Sequence, residues 1–373
     1  MTIRRFAVLV AILAASLAIA AQAPTTLKDA YGGSFYVGAA INTAQITGSD
    51  ARGDAIVAAQ FNSISPENVL KWEQVHPQPS VYTFDLADKY VEFGEKNHMF
   101  IVGHNLIWHS QTPDWVFEDE KGSPLTREAL LKRMHDHIAT VVGRYKGRIQ
   151  SWDVVNEALN EDGTLRQSKW MKIIGEDYIV KAFQYAHEAD PQAELNYNDY
   201  SLENEAKRSG AIALIKKLQA QGIPVAVVGV QGHDSLDWPS AELEDATITA
   251  FAKLGIKVAI TELDIDVLPP VVRGSADVSL SVKADPKLNP YANGLPDAVQ
   301  KALAKKYADL FAVYLKHRAV MSRVTFWGVT DGDSWKNNWP VVGRTDYPLL
   351  FDRAGQPKPA FDAVIQQAAR PAQ

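Results

Sequence analysis

The ten residues from Ser151 to Asn160, SWDVVNEALN, hold a short apolar run that stops on two polar side chains. Trp152, Val154 and Val155 have the composition of a buried strand. Asn156 and Glu157 follow at once. A carboxylate at the end of a buried run is expensive unless it is paired, hydrogen-bonded or open to water. The same pattern recurs along the chain. Candidate strands are Phe35–Asn42, Phe61–Glu67, Phe100–Trp108, Ile149–Glu157, Glu194–Tyr200, Val225–His233, Lys257–Asp264 and Arg323–Val329. Each ends in a polar or aromatic residue, or in a turn toward one. The segments between them carry helical patterning. In the third, Leu130, Leu131, Met134, Ile138, Val141, Val142 and Tyr145 recur at three- and four-residue spacing, and Thr126 and Glu128 suit a helix start.

Eight strands alternating with helices predict an α/β fold, a single-domain (β/α)8 TIM barrel. An open doubly wound sheet would alternate in the same way. No GxGxxG follows a strand and no GxxxxGK[ST] is present, so nucleotide binding has no support. The barrel is expected over residues 27–366, with a short tail at 367–373. The stretch Val267–Leu295 is rich in Pro, Ser, Asp and Asn and predicts an extended loop after the seventh strand, a place where function often sits.

The first residues differ from the rest. Arg4 and Arg5 precede a mostly apolar run, Phe6 to Ala20, and small residues follow. This order predicts a secretory signal peptide over residues 1–23, cleaved after Ala20 or Ala23; Pro24 disfavours the latter. The run is shorter than the ~20 residues a spanning helix needs. The protein is therefore expected outside the cytoplasm, secreted or periplasmic. Its net charge is −6, and losing Arg4 and Arg5 makes it more negative by two. An acidic chain with no basic stripe argues against nucleic acid or an anionic membrane as partner. With no cysteine there is neither a disulfide framework nor thiolate chemistry. A monomer is expected, with stability coming from a large core.

In such barrels the active site lies at the C-terminal ends of the strands. Strand two ends near Glu67, Asn68 and Lys71. Strand three ends near His104, Asn105, Trp108 and His109, and strand four on Asn156 and Glu157. Strand five ends on Asn198, Asp199 and Tyr200, strand six on Gln231 and His233, and strand seven on Glu262 and Asp264. Strand eight leads to Trp327, Asp331 and Trp335. Two glutamates on strands four and seven face each other across a barrel mouth. Cleavage of a glycosidic bond requires two carboxyls flanking that bond. Tryptophan faces offer platforms for sugar rings, and the Asn, Gln, His, Lys and Glu side chains offer partners for hydroxyls. No metal or cofactor is called for.

PENVLKWE, GHNLIWHSQTPDW, WDVVNEAL, VQGHD, ITELDI and FWGVTDGDSW occur in this order. Together they resemble the family 10 glycoside hydrolases, the endo-β-1,4-xylanases, over residues from about Leu27 to Val364. The resemblance implies a retaining endoxylanase acting on xylan and xylo-oligosaccharides. It implies Glu157 as general acid/base and Glu262 as nucleophile. Glu67, Asn68, Lys71 and His104 would bind sugars on the non-reducing side. Asn156 would meet the 2-hydroxyl of the sugar under attack. Trp108, Trp327 and Trp335 would wall the cleavage point, and Gln231 and His233 would surround the nucleophile. Ser201 stands where the family often has Asn, the cysteines many members carry after strand seven are missing, and Val267–Leu295 matches no family pattern. All three bear on the leaving-group side. A different barrel glycosidase, cutting β-glucan, cellulose or mannan, would differ chiefly at Glu67, Lys71 and Trp327. A non-catalytic carbohydrate-binding barrel should lack one of the two glutamates.

The residues themselves carry part of this. Glu262 and Asp264 are two apart on a strand and share a face. A His233 between them can be held by Asp264 while donating to Glu262, which keeps that carboxylate ionised. Glu157 must instead hold a proton at working pH, in a drier setting or close to Glu262. Trp152 and Trp170 are expected in the core. Trp115 and Trp238 either line the cleft or pack a loop. His135 and His137 point apart on one helix, so no metal pair is expected. His187 is expected on a helix surface. Glu73, Asp88 and Asp153 are expected to make structural hydrogen bonds.

Overall fold

A computed structural model describes residues 25–272 and 275–370 of the chain. The signal-peptide reading at 1–23 and the last three residues of the expected tail lie outside them. Among the described residues there are nine parallel strands: β1 (Tyr36–Ile41), β2 (Ser63–Pro66), β3 (Phe100–Ile107), β4 (Ser151–Asn156), β5 (Glu194–Asp199), β6 (Val227–Val230), β7 (His233–Ser235), β8 (Lys257–Asp266) and β9 (Met321–Phe326). β1 to β6 pair in sequence order, β6 pairs β8, β8 pairs β9, and β9 returns to β1 through Tyr36–Arg323 and Ala39–Phe326. The ring is closed, as a (β/α)8 barrel, and all six residues of β4 are buried.

Small-for-large exchange between strands sets the local packing. Gly103 on β3 pairs Trp152 on β4, and a Cβ at Gly103 would meet the indole at 2.1 Å. The indole fills the space that a side chain at Gly103 would take. Trp152 is completely buried, and its loss would cost about 3–5 kcal/mol.

The helix Arg127–Arg144 begins on Thr126, whose side chain accepts from the Ala129 N–H. It buries Leu130, Met134, Ile138, Val141 and Val142, the apolar face its periodicity predicts, together with His137. His137 stacks on Trp72 at 3.5 Å, with its Nδ1 3.2 Å from that of His76. His135 is half exposed on another face. The helix Leu27–Tyr31 packs on the last helix, Pro359–Ala368, and Tyr31 Oη donates to the Val364 carbonyl at 2.7 Å. No helix among the described residues is long and apolar enough to cross a membrane.

One expected strand is corrected. Val225–His233 is not continuous: β6 stops at Val230 and β7 starts at His233. Between the Val230–Ile260 and His233–Asp264 pairs, β8 advances four residues against three, so β8 carries one extra residue. Gly232 absorbs the kink at φ +78°, where a Cβ would lie 2.9 Å from Ile260 Cγ2. Gln231 and Gly232 still accept the Glu262 and Asp264 N–H groups, at 2.7 and 3.1 Å. The break therefore re-aims His233 without releasing it from β8.

Candidate active site

β4 ends because Glu157 leaves the strand. Its φ is +57°, in the left-handed region that non-glycine residues rarely occupy, and its N–H donates to the Asn198 carbonyl at 2.9 Å. Such a conformation is held only where its surroundings over-determine it, and it is common at functional sites. The turn places the Glu157 carboxyl at the barrel mouth. Trp108 Nε1 donates to Oε2 at 2.8 Å, and Gln231 and Asn156 donate to Oε1 at 3.1 and 3.3 Å. The side chain is buried. Burial, and then the nearby Asp199 carboxylate, push its pKa up to about 7, against the hydrogen bonds from Gln231 and Trp108.

Glu262 sits on β8 in a different setting. Oε1 accepts from Asn198 Nδ2 at 2.8 Å, and Oε2 lies 3.2 Å from His233 Nε2. The other ring nitrogen of His233 lies 3.0 Å from Asp264 Oδ1, and Trp335 Nε1 donates to Asp264 Oδ2 at 2.7 Å. Burial alone would lower the His233 pKa, but Asp264 and Glu262 outweigh it and raise it to about 9. His233 is therefore a cation below that pH, with both N–H groups donating to carboxylates. The two glutamates are joined by one hydrogen-bonded chain: Glu262 to Asn198, Asn198 to Asn156 Oδ1 at 2.9 Å, and Gln231 across Asn156 and Glu157. Thr261 Oγ1 donates to Asn198 Oδ1 at 2.6 Å and fixes that amide's orientation.

Away from the two carboxyls, Lys71 Nζ donates to Asn68 and Gln111 at 2.9 and 2.7 Å and lies 4.9 Å from the Trp108 ring centre. Burial lowers the Lys71 pKa, and Glu262, Glu67 and Glu157 oppose it. His104 Nδ1 lies 3.0 Å from Asp153, which also accepts from Asn196. His104 meets the edge of Trp327 at 5.3 Å.

All twelve residues expected to bind or react line one trough: Glu67, Asn68, Lys71, His104, Trp108, Asn156, Glu157, Gln231, His233, Glu262, Trp327 and Trp335. Asp264 lies beneath it. Gln111, Ala276 and Val278 also line the trough, and sequence reasoning assigned them nothing. Gln111 stands in the HSQTPDW stretch at φ +44° and donates to Glu73 at 2.9 Å. Asn198 was visible at the end of β5 but had no role; its position opposite both glutamates only appears with the fold. Asp199 forms a fully buried ion pair with Lys207 at 3.0 Å. Trp170 is core, as is Trp152. Trp115 packs a loop, its indole N–H on the Pro77 carbonyl. Trp238 lines a second cavity of about 290 Å³ beside His233. Asp88 is held by Arg144 and Tyr145, and His187 is exposed.

Two carboxyls in unlike surroundings, at the mouth of a (β/α)8 barrel and in an aromatic-walled polar trough, define a carbohydrate-cleaving barrel. The comparisons agree. Residues 26–367 match the sequence profile of Glycosyl hydrolase family 10, and the chain belongs to that family. It is 45% identical to endo-1,4-beta-xylanase A of Xylanibacter ruminicola over 94% of this chain and 95% of that protein. It is 41% identical to a beta-1,4-xylanase of Dictyoglomus thermophilum, over 91% and 90%. Among solved structures, an endoxylanase of the same family from a sugarcane soil metagenome superposes with a TM-score of 0.88 at 48% identity, covering 92% of this chain and all of that one. A mutant solved in complex with xylotriose superposes at 0.82 with 36% identity, covering 92% and 99%. The protein is a glycoside hydrolase.

Proposed function

We propose that the protein is an exported endo-β-1,4-xylanase that cleaves internal bonds of xylan with retention at the anomeric carbon. Export rests on residues 1–23. The observation that carries the mechanism is the contrast between the two joined carboxyls: Glu157 buried and holding a proton up to about pH 7, Glu262 fixed between Asn198 and the His233 cation. In the first step Glu262 attacks the anomeric carbon while Glu157 gives its proton to the departing glycosidic oxygen. A glycosyl ester forms on Glu262 and the chain end leaves as an alcohol. In the second step Glu157 takes a proton from water, which attacks the same carbon and frees Glu262. In this reading Asn156 meets the 2-hydroxyl of that sugar, and Lys71, Glu67, Asn68 and His104 bind the sugars beyond it. A Trp327 wall at the edge of that sugar would suit xylose, which lacks the hydroxymethyl group of glucose.

Proton NMR of xylo-oligosaccharide hydrolysis tests the reading. The first sugar released should be the β-anomer, and an initial α-anomer would overturn the assignment of Glu262. Chromatography of the products from xylan, carboxymethyl-cellulose and mannan separates xylanase from other barrel glycosidases.

The pH profile gives a second check. Glu157 acts as an acid only while protonated, so kcat/KM should fall above about pH 7. Asp199 raises the Glu157 pKa by charge, so Asp199→Asn should move this alkaline limb to lower pH. An unmoved limb in a folded variant would show that Asp199 does not act on Glu157.

A further inference from the structure

The chain between β4 and the following helix sends one side chain back to the site. Arg166 Nε donates to the backbone carbonyl of Glu157 at 3.2 Å, Nη2 to Tyr200 Oη at 2.9 Å, and Nη1 to Asp277 Oδ2 at 2.9 Å. The Arg166–Asp277 pair is largely buried, at 17% and 20% side-chain exposure, so solvent screens it weakly.

Asp277 belongs to the stretch after β8 that matches no family pattern, and it knots that stretch together. Its Oδ1 accepts from the Ser279 N–H and Oγ at 3.0 and 2.7 Å, and its carbonyl accepts from Trp339 Nε1 at 3.2 Å. Burial opposes ionisation of Asp277, but Ser279 and Arg166 hold its pKa down to about 2. The pair therefore stays charged across the range in which Glu157 titrates. The neighbours of Asp277 are walls. Ala276 and Val278 line the trough with the two glutamates, and Ser275 lines the adjoining cavity. One planar guanidinium thus fixes both the left-handed turn that carries Glu157 and the cleft wall beside it.

We propose that Arg166 is a positioning residue that sets the Glu157 carboxyl for proton donation, with the Asp277 wall as its second anchor. The inference rests on Glu157 being the acid/base. Glu157 occupies a backbone conformation that needs outside support, and Arg166 supplies it at the one carbonyl of that turn nearest the side chain. Its loss lets the carboxyl drift from the leaving oxygen. A displacement of about 1 Å at a reacting group can cost on the order of 100-fold. The nucleophile, anchored through Asn198 and His233, does not depend on Arg166.

Leaving-group dependence reads this directly. In Arg166→Met, kcat/KM for a phenyl β-xylobioside, whose departure needs a proton, should fall roughly 10–100-fold. For a dinitrophenyl β-xylobioside, which needs none, it should fall less than about 3-fold. Arg166→Lys keeps the charge but not the fork, and should lie between. Asp277→Asn should show the same split more weakly, and the double variant should lose less than the product of the two single losses. Equal losses on both aryl glycosides, or none, in a variant that melts as one cooperative unit would overturn the proposal. Should the methionine variant fail to fold, Arg166→Lys and Asp277→Asn give the same two readings. Glu157→Ala is the control. If it shows the split and the Arg166 variants do not, only the positioning role fails; if Glu157→Ala shows none, the acid/base assignment fails first.

Discussion

Glu262→Ala should lose activity on the order of 10⁶-fold, on natural and activated substrates alike. Without its carboxylate no glycosyl ester can form, and no leaving group, however good, substitutes for the missing bond. The scaffold around it should survive. Asn198 keeps its bonds to Asn156 and Thr261, and His233 keeps Asp264. The variant should therefore still bind xylo-oligosaccharides, with loss only of the Glu262 contacts. Calorimetry beside steady-state kinetics checks both halves. Retained turnover above about 1% on a dinitrophenyl glycoside would mean that another carboxylate is the nucleophile.

Glu157→Ala should behave differently on different substrates. Hydrolysis of xylan should fall roughly 10²–10⁴-fold, the usual contribution of a general acid. With a dinitrophenyl xylobioside the first step should stay fast, because that leaving group departs as an anion. The glycosyl ester should then accumulate, since no base activates water for the second step, and a burst of dinitrophenolate should precede slow turnover. Azide needs no base. It should restore turnover and yield the β-glycosyl azide, retention over two displacements. A variant equally inert on both substrates, with or without azide, would make Glu157 a structural residue.

The architecture was legible because strand and helix periods alternate eight times and each strand is punctuated by polar residues. Strand six was misread for a physical reason. Apolar content continues through Val230, and Gly232 alone marks the kink, but a glycine in a strand also signals a mere close approach. The extra residue on β8 has no sequence signal at all. The two glutamates and most of the residues that share their trough were legible because they lie at or near strand ends in chain order. Asn198, Gln111 and Arg166 were not, since they matter through contacts that no local pattern encodes: Asn198 with Glu262, Gln111 with Lys71, Arg166 with Tyr200, Asp277 and the carbonyl of the left-handed turn at Glu157. The stretch after β8 offered no pattern to read, and its knot at Asp277 depends on Trp339 and Arg166, from two other loops.

The contact between the Leu27–Tyr31 and Pro359–Ala368 helices has a consequence for topology. Since Tyr31 bonds Val364 and β9 pairs β1, the barrel is a cycle whose opening point is an accident of gene order. A short linker joining the two helices would let the chain be cut elsewhere without breaking the ring. Gly122, in an exposed turn where a Cβ would meet nothing within 4 Å, is a natural place to cut. A permuted gene opened there would begin just ahead of the helix Arg127–Arg144 and finish with β1, β2 and β3, leaving the hydrogen-bonded chain from β4 to β8 on one uninterrupted length of polypeptide.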